Sequence, residues 1–423
     1  MTNKPEPQCS FCGTDSKHLD DSKGEKLFEG TASANKMSVY VCTTCISNIQ
    51  ELMSRDLVPN GVSSAIKTPK PSEIKSHLDQ YIIGQEYAKT IISVAVADHY
   101  KRVKWNLENK EGIQIDKSNV LMLGPTGVGK THIARAIAEY LEVPFAVGDA
   151  TSITEAGYVG EDVESLLLRL IQAADGNIEL AQRGILFIDE FDKLRRTTGN
   201  VSITRDVGGQ GVQQALLKLI EGSICNVPKG GGRKHPNEQC HQFDTTNVLF
   251  VCSGAFVGLE ETIQERLGLH NQKLGFETDV AHHLEDERNL LLDAEPVDIV
   301  KYGMIPEIVG RLPVMACLEP LTKDALGRIF REPKNSLLDQ YRLQFKLDGI
   351  ELELTTSAIN EIVEEAFKLG TGARALRAIA EKMILPYKFN IEKYTKDKYC
   401  KIDGKIVVAD FPSRKGKRVT KSS

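Results

Sequence analysis

The most informative segment of this chain is Gly124-Pro125-Thr126-Gly127-Val128-Gly129-Lys130-Thr131. It matches the G-x-x-x-x-G-K-[ST] phosphate-binding loop, follows the apolar run Val120–Leu123 and precedes helix-forming residues 133–140. In a strand–loop–helix context, glycines let backbone N–H groups surround phosphates, and the helix N-terminus adds positive potential. We expect Lys130 to reach the β- and γ-phosphates and the Thr131 hydroxyl to hold Mg²⁺. Because every fixed position and the context agree, the pattern favours a nucleoside triphosphate site over a glycine-rich turn without a ligand.

A second apolar run, Ile185–Ile188, ends in the acidic pair Asp189-Glu190 and resembles a Walker B strand. An acidic residue at the end of a buried parallel strand can bind the Mg²⁺ that Thr131 holds. The next carboxylate, Glu190, is placed to polarise a water for attack on the γ-phosphate. Acidic pairs are common on surfaces, but this one follows a phosphate loop and caps four apolar residues. The sequence therefore predicts an NTPase rather than a passive nucleotide binder.

Composition limits the class of protein. The 423 residues are 41% hydrophobic and 26% charged, with a formal net charge of −5. That charge argues against a protein that mainly coats nucleic acid. No apolar stretch approaches the ~18 residues of a membrane span, and the N-terminus has no signal-peptide core. Nine cysteines in so long a chain are not a secreted disulfide framework. We therefore expect a cytoplasmic protein that binds neither membrane nor nucleic acid.

Four cysteines form two C-x-x-C pairs, Cys9 with Cys12 and Cys42 with Cys45. Four thiolates supplied as two tight pairs suit a closed, tetrahedral Zn²⁺ site. A thioredoxin-like redox role is the alternative, but neither pair lies in a βαβ pattern. A domain of about 50 residues has a small core, so bound zinc would contribute folding energy directly.

The pattern along the chain predicts an α/β fold with additional domains. We expect a zinc-binding domain (1–56), a linker (57–75), a large α/β ATPase domain (76–318), a small helical domain (319–412) and a basic, disordered tail (413–423). The large domain should contain a mostly parallel sheet with helices on both faces. Its expected strands are Val120–Leu123, Phe145–Val147, Ile185–Ile188, Val248–Cys252 and Val314–Leu318. In the small domain, apolar spacing predicts one helix ending near Gly370 and a second one starting near Arg374.

Two further motifs complete a resemblance. These motifs are Gly157-Tyr158-Val159-Gly160 and the segment 372–377, Gly-Ala-Arg-Ala-Leu-Arg. Together with the cysteine pairs, the linker, the phosphate loop and the acidic pair, they occur in the order seen in the ClpX family. That family comprises AAA+ unfoldases that feed the ClpP peptidase. The resemblance covers nearly the whole chain except the basic tail. HslU-type unfoldases share the loop and Gly-Tyr-Val-Gly but lack the zinc module, and RuvB-like DNA motors lack the aromatic pore segment.

The resemblance implies roles for the nucleotide site. Arg311, which closes the segment 303–311, resembles an arginine finger that reaches a neighbour's γ-phosphate. Arg374 matches the sensor-2 position, with an ordinary surface arginine as the alternative. Ile82 and Ile83 match the segment that flanks adenine. Ser253 is a candidate sensor-1 group.

It also implies surfaces for polypeptides. Tyr158 and Val159 would grip substrate in a ring pore, unless the segment is an ordinary turn. Arg205 lies in a stretch resembling a second pore loop, and Arg233-Lys234-His235 resembles the basic loop at the pore entrance, with a solvated charge cluster as the alternative. Leu274-Gly275-Phe276 resembles the ClpP-docking tripeptide, although the family usually has Ile first. A loop folded onto its own domain is the alternative there.

Taken together, these features predict a homohexameric, ATP-dependent unfoldase that uses ATP, Mg²⁺ and Zn²⁺. Its partners would be the ClpP peptidase, substrate proteins and adaptors. The first alternative is a zinc-containing AAA+ nucleic-acid motor, which the net charge and the lack of aromatic–basic interleaving disfavour. The second is a non-hydrolysing adaptor, which the intact pair Asp189-Glu190 disfavours.

Overall fold

The computed structural model describes residues 7–15, 26–31, 38–48, 67–109, 112–154, 161–196, 209–228, 240–269 and 289–404. The chain forms two compact units, Met1–Lys67 and Thr68–Ser423. In the first unit, strands β1 (Leu27–Thr31) and β2 (Ser38–Cys42) pair antiparallel, and helix α1 covers 43–48. The Ser10 N–H donates to the Tyr40 carbonyl at 2.7 Å, which joins the first cysteine pair to β2. The second pair begins where β2 ends.

The second unit is built on a five-stranded, fully parallel sheet in the order β4-β5-β8-β3-β9. These strands are β3 (Val120–Leu123), β4 (Phe145–Asp149), β5 (Ile185–Asp189), β8 (Leu249–Gly254) and β9 (Val314–Cys317). Every residue of the central strand β8 and of its neighbour β3 is buried, as expected where helices cover both faces. An antiparallel hairpin of β6 (Ile224–Pro228) and β7 (Cys240–Asp244) was not predicted from the sequence. All five expected strands are present in the sheet.

Helices connect and cover these strands. Around the sheet they are α2 (Pro71–Leu78), α3 (Glu86–Glu108), α4 (Lys130–Leu141), α5 (Glu164–Ala173), α6 (Ile178–Ala181), α7 (Gln210–Glu221), α8 (Leu259–Leu267), α9 (Pro296–Tyr302) and α10 (Pro306–Gly310). The apolar face of α5, with Leu166 and Leu170 fully buried, belongs to the main core. Helix α2 begins at Pro71, inside the expected linker, because proline is well suited to the first helical position.

The C-terminal part has its own core and is mainly helical. Its elements are α11 (Lys323–Arg331), α12 (Leu337–Leu347), β10 (Glu351–Leu354), α13 (Thr356–Lys368), α14 (Arg374–Phe389) and β11 (Tyr399–Ile402). Gly370 follows α13 with φ +63°, the left-handed conformation expected of a helix terminator. Strands β10 and β11 pair in parallel, which the sequence reasoning missed. In the described residues, no helix is both long enough and apolar enough to span a membrane.

Candidate nucleotide and metal sites

The phosphate loop joins the end of β3 to the start of α4. Gly127 and Gly129 have φ of +81° and +104°, which other residues rarely adopt, and the loop thereby turns tightly into the helix. Lys130 is 9% exposed, and burial lowers the pKa of its ammonium below the ordinary value. Its Nζ donates to the carbonyl oxygens of Gly124 at 2.5 Å and Pro125 at 3.0 Å. The ammonium therefore lies within the curve of the loop, where phosphate oxygens could replace the two carbonyls.

The acidic pair ends β5 beside this loop. Thr131 Oγ1 donates to Asp189 Oδ2 at 3.5 Å, so the two expected Mg²⁺ ligands are adjacent. Glu190 has φ +54°, an uncommon conformation for a non-glycine residue. Ser253 is fully buried on the neighbouring strand β8, and its Oγ donates to Asp189 Oδ1 at 3.2 Å. Such oxygen-rich groupings suit Mg²⁺, which prefers carboxylate and hydroxyl ligands together with water.

The C-terminal helical part contributes to the same site. The Ala373 N–H donates to the Gly127 carbonyl at 3.0 Å, so the loop before α14 lies directly on the phosphate loop. This approach requires glycine: a Cβ at Gly372 would lie 2.7 Å from the Gly127 carbonyl oxygen. Arg374 follows immediately at the start of α14. The contact therefore holds the start of that helix against the phosphate loop.

A cavity of about 730 Å³ collects these groups. The predicted site residues that line it are Thr126, Gly127, Gly129, Lys130, Thr131, Asp189, Glu190 and Arg374. The lining also includes residues that were not predicted from the sequence, among them His132, Asp192, Leu337 and Arg377. Of these, Asp192 is buried and its Oδ1 accepts the Ala255 N–H at 3.2 Å. The sequence indicates that Asp192 lies near the acidic pair, since it follows Glu190 by two residues.

Several expected nucleotide-site residues lie outside this cavity lining: Gly124, Pro125 and Val128 of the phosphate loop, together with Ile82, Ile83 and Arg311. Ile82 and Ile83 are buried, 6% and 9% exposed, and neither side chain contributes to the lining. Arg311 is about half-exposed, and its guanidinium pairs with Glu221 at 3.1 Å. The Arg311 carbonyl accepts from Asn119 Nδ2 at 3.0 Å, which anchors its backbone to the sheet. Within one subunit, then, Arg311 is paired elsewhere and is not part of the nucleotide cavity.

The four cysteines of the N-terminal unit converge. The sulfur atoms of Cys9, Cys12, Cys42 and Cys45 all lie within 4.8 Å of one another. Cys12 Sγ and Cys42 Sγ are 3.6 Å apart, close to the separation of two sulfurs on one tetrahedral zinc with bonds of ~2.3 Å. The backbone N–H groups of Cys12 and Cys42 lower the pKa of the Cys9 thiol to about 6, which favours the thiolate. The donor set and spacing fit a tetrahedral metal site.

The expected polypeptide-binding segments lie outside the described residues. They include Tyr158 and Val159, Arg205, Arg233-Lys234-His235 and Leu274-Gly275-Phe276. Their assignments stay predictions.

Comparison with known proteins agrees with this architecture. The family model described as an AAA domain (Cdc48 subfamily) matches residues 115–315, and the model of the C-terminal, D2-small domain of ClpB protein matches 321–388. A Treponema denticola protein named "ATP-dependent Clp protease ATP-binding subunit ClpX" is 46% identical over 382 residues, 90% of this chain and 89% of its own. A Porphyromonas gingivalis protein of the same name is 45% identical over 393 residues, 92% of each chain. With this similarity along nearly its whole length, and with a nucleotide cavity built from an AAA domain, the chain belongs to the ClpX family and is an ATPase.

Proposed function

We propose that this protein is a ring-forming, ATP-driven unfoldase that threads substrate proteins through a central pore and delivers them to the ClpP peptidase. One observation carries the proposal: phosphate loop, acidic pair and Arg374 line a single cavity between the sheet and the helical part. In such an arrangement, nucleotide contacts both parts, so hydrolysis changes the contacts between them. That change is what a motor can convert into movement of a bound polypeptide.

The residues have distinct proposed roles. Thr131 and Asp189 would hold Mg²⁺, whose chemistry is to neutralise charge on the phosphates. Lys130 would exchange its two loop carbonyls for phosphate oxygens, and Glu190 would act as general base toward the attacking water. Ile82 and Ile83 would present the adjoining backbone to adenine. Arg374 would sense the γ-phosphate from the helical part.

Arg311 would complete the site of a neighbouring subunit. Its position outside its own cavity supports a role in trans, because a finger must project from the subunit to reach another nucleotide. Glu221 would then release the guanidinium on assembly. Hydrolysis would thus depend on a homohexameric ring, and single subunits outside a ring would not hydrolyse ATP.

The N-terminal unit is the proposed docking module. We propose that its four cysteines hold Zn²⁺ and that residues 1–56 receive substrates or adaptors, connected by a linker to the large (76–318) and small (319–412) domains. In the described structure none of the nine cysteines forms a disulfide, which agrees with a reducing cytoplasm. Tyr158 and Val159, with Arg205 and the basic segment 233–235, would contact substrate in the pore. Leu274-Gly275-Phe276 would dock on ClpP.

One experiment tests the whole proposal. A folded, tagged fluorescent reporter should be degraded, with permanent loss of its signal, only when this protein, ATP and ClpP are all present. Glu190→Gln should abolish that loss, and Phe276→Ala should abolish degradation while ATPase activity and unfolding persist. ATPase stimulation by DNA but not by unfolded polypeptide would refute the unfoldase assignment and favour a nucleic-acid motor.

A further inference from the structure

A second pocket lies at the opposite edge of the sheet from the nucleotide cavity. It has a volume of about 360 Å³ and lies between helix α3 and the extended segment before β3, next to Val314 at the start of β9. The phosphate loop follows the carboxyl end of β3, whereas Asp116 and Ser118 of this pocket precede its amino end. Because the sheet is parallel, the two cavities are separated by the length of its strands.

One wall of this pocket is apolar. Ile91, Val94 and Ala95 face it from α3 at helical spacing, and Ile115 faces it from the segment before β3. Val94 and Ile115 are 43% and 47% exposed, so part of the apolar surface is open to solvent. A concave site of this size with an apolar wall suits a small organic ligand.

The buried end of the pocket is cationic. Arg102 is only 3% exposed, and both of its hydrogen bonds are made by Nη2, to the Thr246 carbonyl at 2.9 Å and Asn247 Oδ1 at 3.4 Å. Its Nε is buried without a partner, and no described carboxylate oxygen lies within 4 Å of the guanidinium. Arginine remains charged in proteins, and burial lowers the pKa of Arg102, so a guanidinium buried with no anion in contact is costly. The two hydrogen bonds from Nη2 to the turn before β8 hold the Arg102 side chain in this position.

Arg102 is the main source of this positive potential. Lys117 is half-buried nearby, where its Nζ donates to the Thr245 carbonyl at 2.8 Å and lies 4.4 Å from the centre of the Phe250 ring, and burial lowers the pKa of its ammonium well below the ordinary value. His99 lines the pocket, and burial lowers the pKa of its imidazole well below the ordinary value, so it is neutral. Two carboxylates also line the pocket. Asp98 pairs with Lys101 at 3.1 Å, and Asp116 favours the charged Arg102 guanidinium from a distance but is exposed to solvent, which screens its charge.

We propose that this pocket binds an aliphatic carboxylate, with the carboxylate paired to Arg102 and a short branched hydrocarbon chain against Val94 and Ile115. A charge-assisted hydrogen bond to a preorganised guanidinium favours an anionic ligand over a neutral one, and the apolar wall binds the hydrocarbon chain of that ligand. The ligand could be a small free acid or the C-terminal apolar residue of a peptide, since both carry this chemistry.

The test is a ligand-observed NMR titration of the full-length chain with the nucleotide cavity filled by a non-hydrolysable ATP analogue. The probes are 4-methylpentanoate and N-acetylleucine, with 4-methylpentanamide and acetate as controls that lack the charge or the chain. We expect both acids to bind at least about 10-fold more tightly than the amide, because a hydrogen bond to a charged group is worth about that factor or more. We expect both acids to bind more tightly than acetate as well, because acetate has no branched chain to bury against the apolar wall. A clear preference for N-acetylleucine identifies a peptide terminus, and equal or tighter binding of 4-methylpentanoate identifies a free acid.

Two substitutions in the pocket and one matched control outside it test the proposal further. Val94→Asp places a negative charge on a half-exposed wall and should weaken both acids about 10-fold or more, whereas Val297→Asp, at a valine of matching exposure on α9, should leave them unchanged. Arg102→Gln should remove the preference for the acid over its amide. The proposal is overturned if neither acid binds at about 10 mM, roughly ten times the Kd expected for so small a ligand. It is also overturned if the amide binds as tightly as the acid, or if Val94→Asp has no effect.

Discussion

Two glycines of nearly equal conformation allow the contact between the helical part and the phosphate loop to be tested by itself. Gly370 and Gly372 have φ of +63° and +62°, so alanine at either position costs about 1–2 kcal/mol of left-handed backbone strain. They differ in their surroundings. A Cβ at Gly370 meets nothing within 4 Å, whereas one at Gly372 would lie 2.7 Å from the Gly127 carbonyl oxygen and 2.9 Å from its carbon.

Alanine at Gly372 must therefore displace one of the two backbones. Ordinary contact for such atoms begins at 3.4 Å, so the loops must separate by roughly 0.7 Å. The segment that moves carries Arg374, and the loop that it leaves carries the phosphate-binding N–H groups. Since a misplacement of about 1 Å at a catalytic site can cost 10²-fold in rate, we expect Gly372→Ala to lower ATP turnover by about 10- to 100-fold.

The assay measures steady-state ATPase rate, affinity for a fluorescent ATP analogue and thermal midpoint for both variants. Gly370→Ala should lower the midpoint through backbone strain alone, by no more than Gly372→Ala does, while keeping turnover within about 3-fold of the unmodified protein, since it has the strain without the close contact. Equal losses of turnover in the two variants would refute the argument, because the effect would then come from strain in the helical part and not from its contact with the phosphate loop.

The remaining predictions concern the proposed roles of single residues. Glu190→Gln should keep ATP affinity and lose about 10²–10⁴-fold in hydrolysis rate; near-normal turnover would remove Glu190 as the general base. Cys42→Ser, or chelation, should unfold the N-terminal unit, seen by loss of bound zinc and of circular dichroism, and leave basal ATPase activity; freshly purified protein without zinc would contradict this. Arg311→Ala should abolish hydrolysis in assembled rings that still bind nucleotide, and mixing it with Glu190→Gln subunits should restore part of the activity. Failure of every mixture would argue against a finger in trans.

The sequence was sufficient for the sheet because its strands are buried on both faces and therefore appear as continuous apolar runs. The expected run Val248–Cys252, for example, corresponds to β8 at Leu249–Gly254. Strands β10 and β11 escaped prediction for a physical reason. Each is four residues long and alternates exposed and buried positions, and their parallel pairing joins residues nearly fifty positions apart. No local pattern encodes such a pairing.

The nucleotide site, too, has a part that the sequence predicts and a part that it does not. The loop that carries Lys130 and the pair that includes Asp189 are local motifs, and their chemistry can be inferred from spacing alone. The contact of Gly127 with Gly372 cannot be inferred in this way, because it depends on how two distinct hydrophobic cores pack together. Yet the sequence contains its necessary condition, since only glycine permits both backbones to approach so closely. The glycine two residues before Arg374 is thus needed for this close approach, and in the proposed mechanism the coupling between nucleotide and the helical part would depend on a residue that has no side chain to contact ATP.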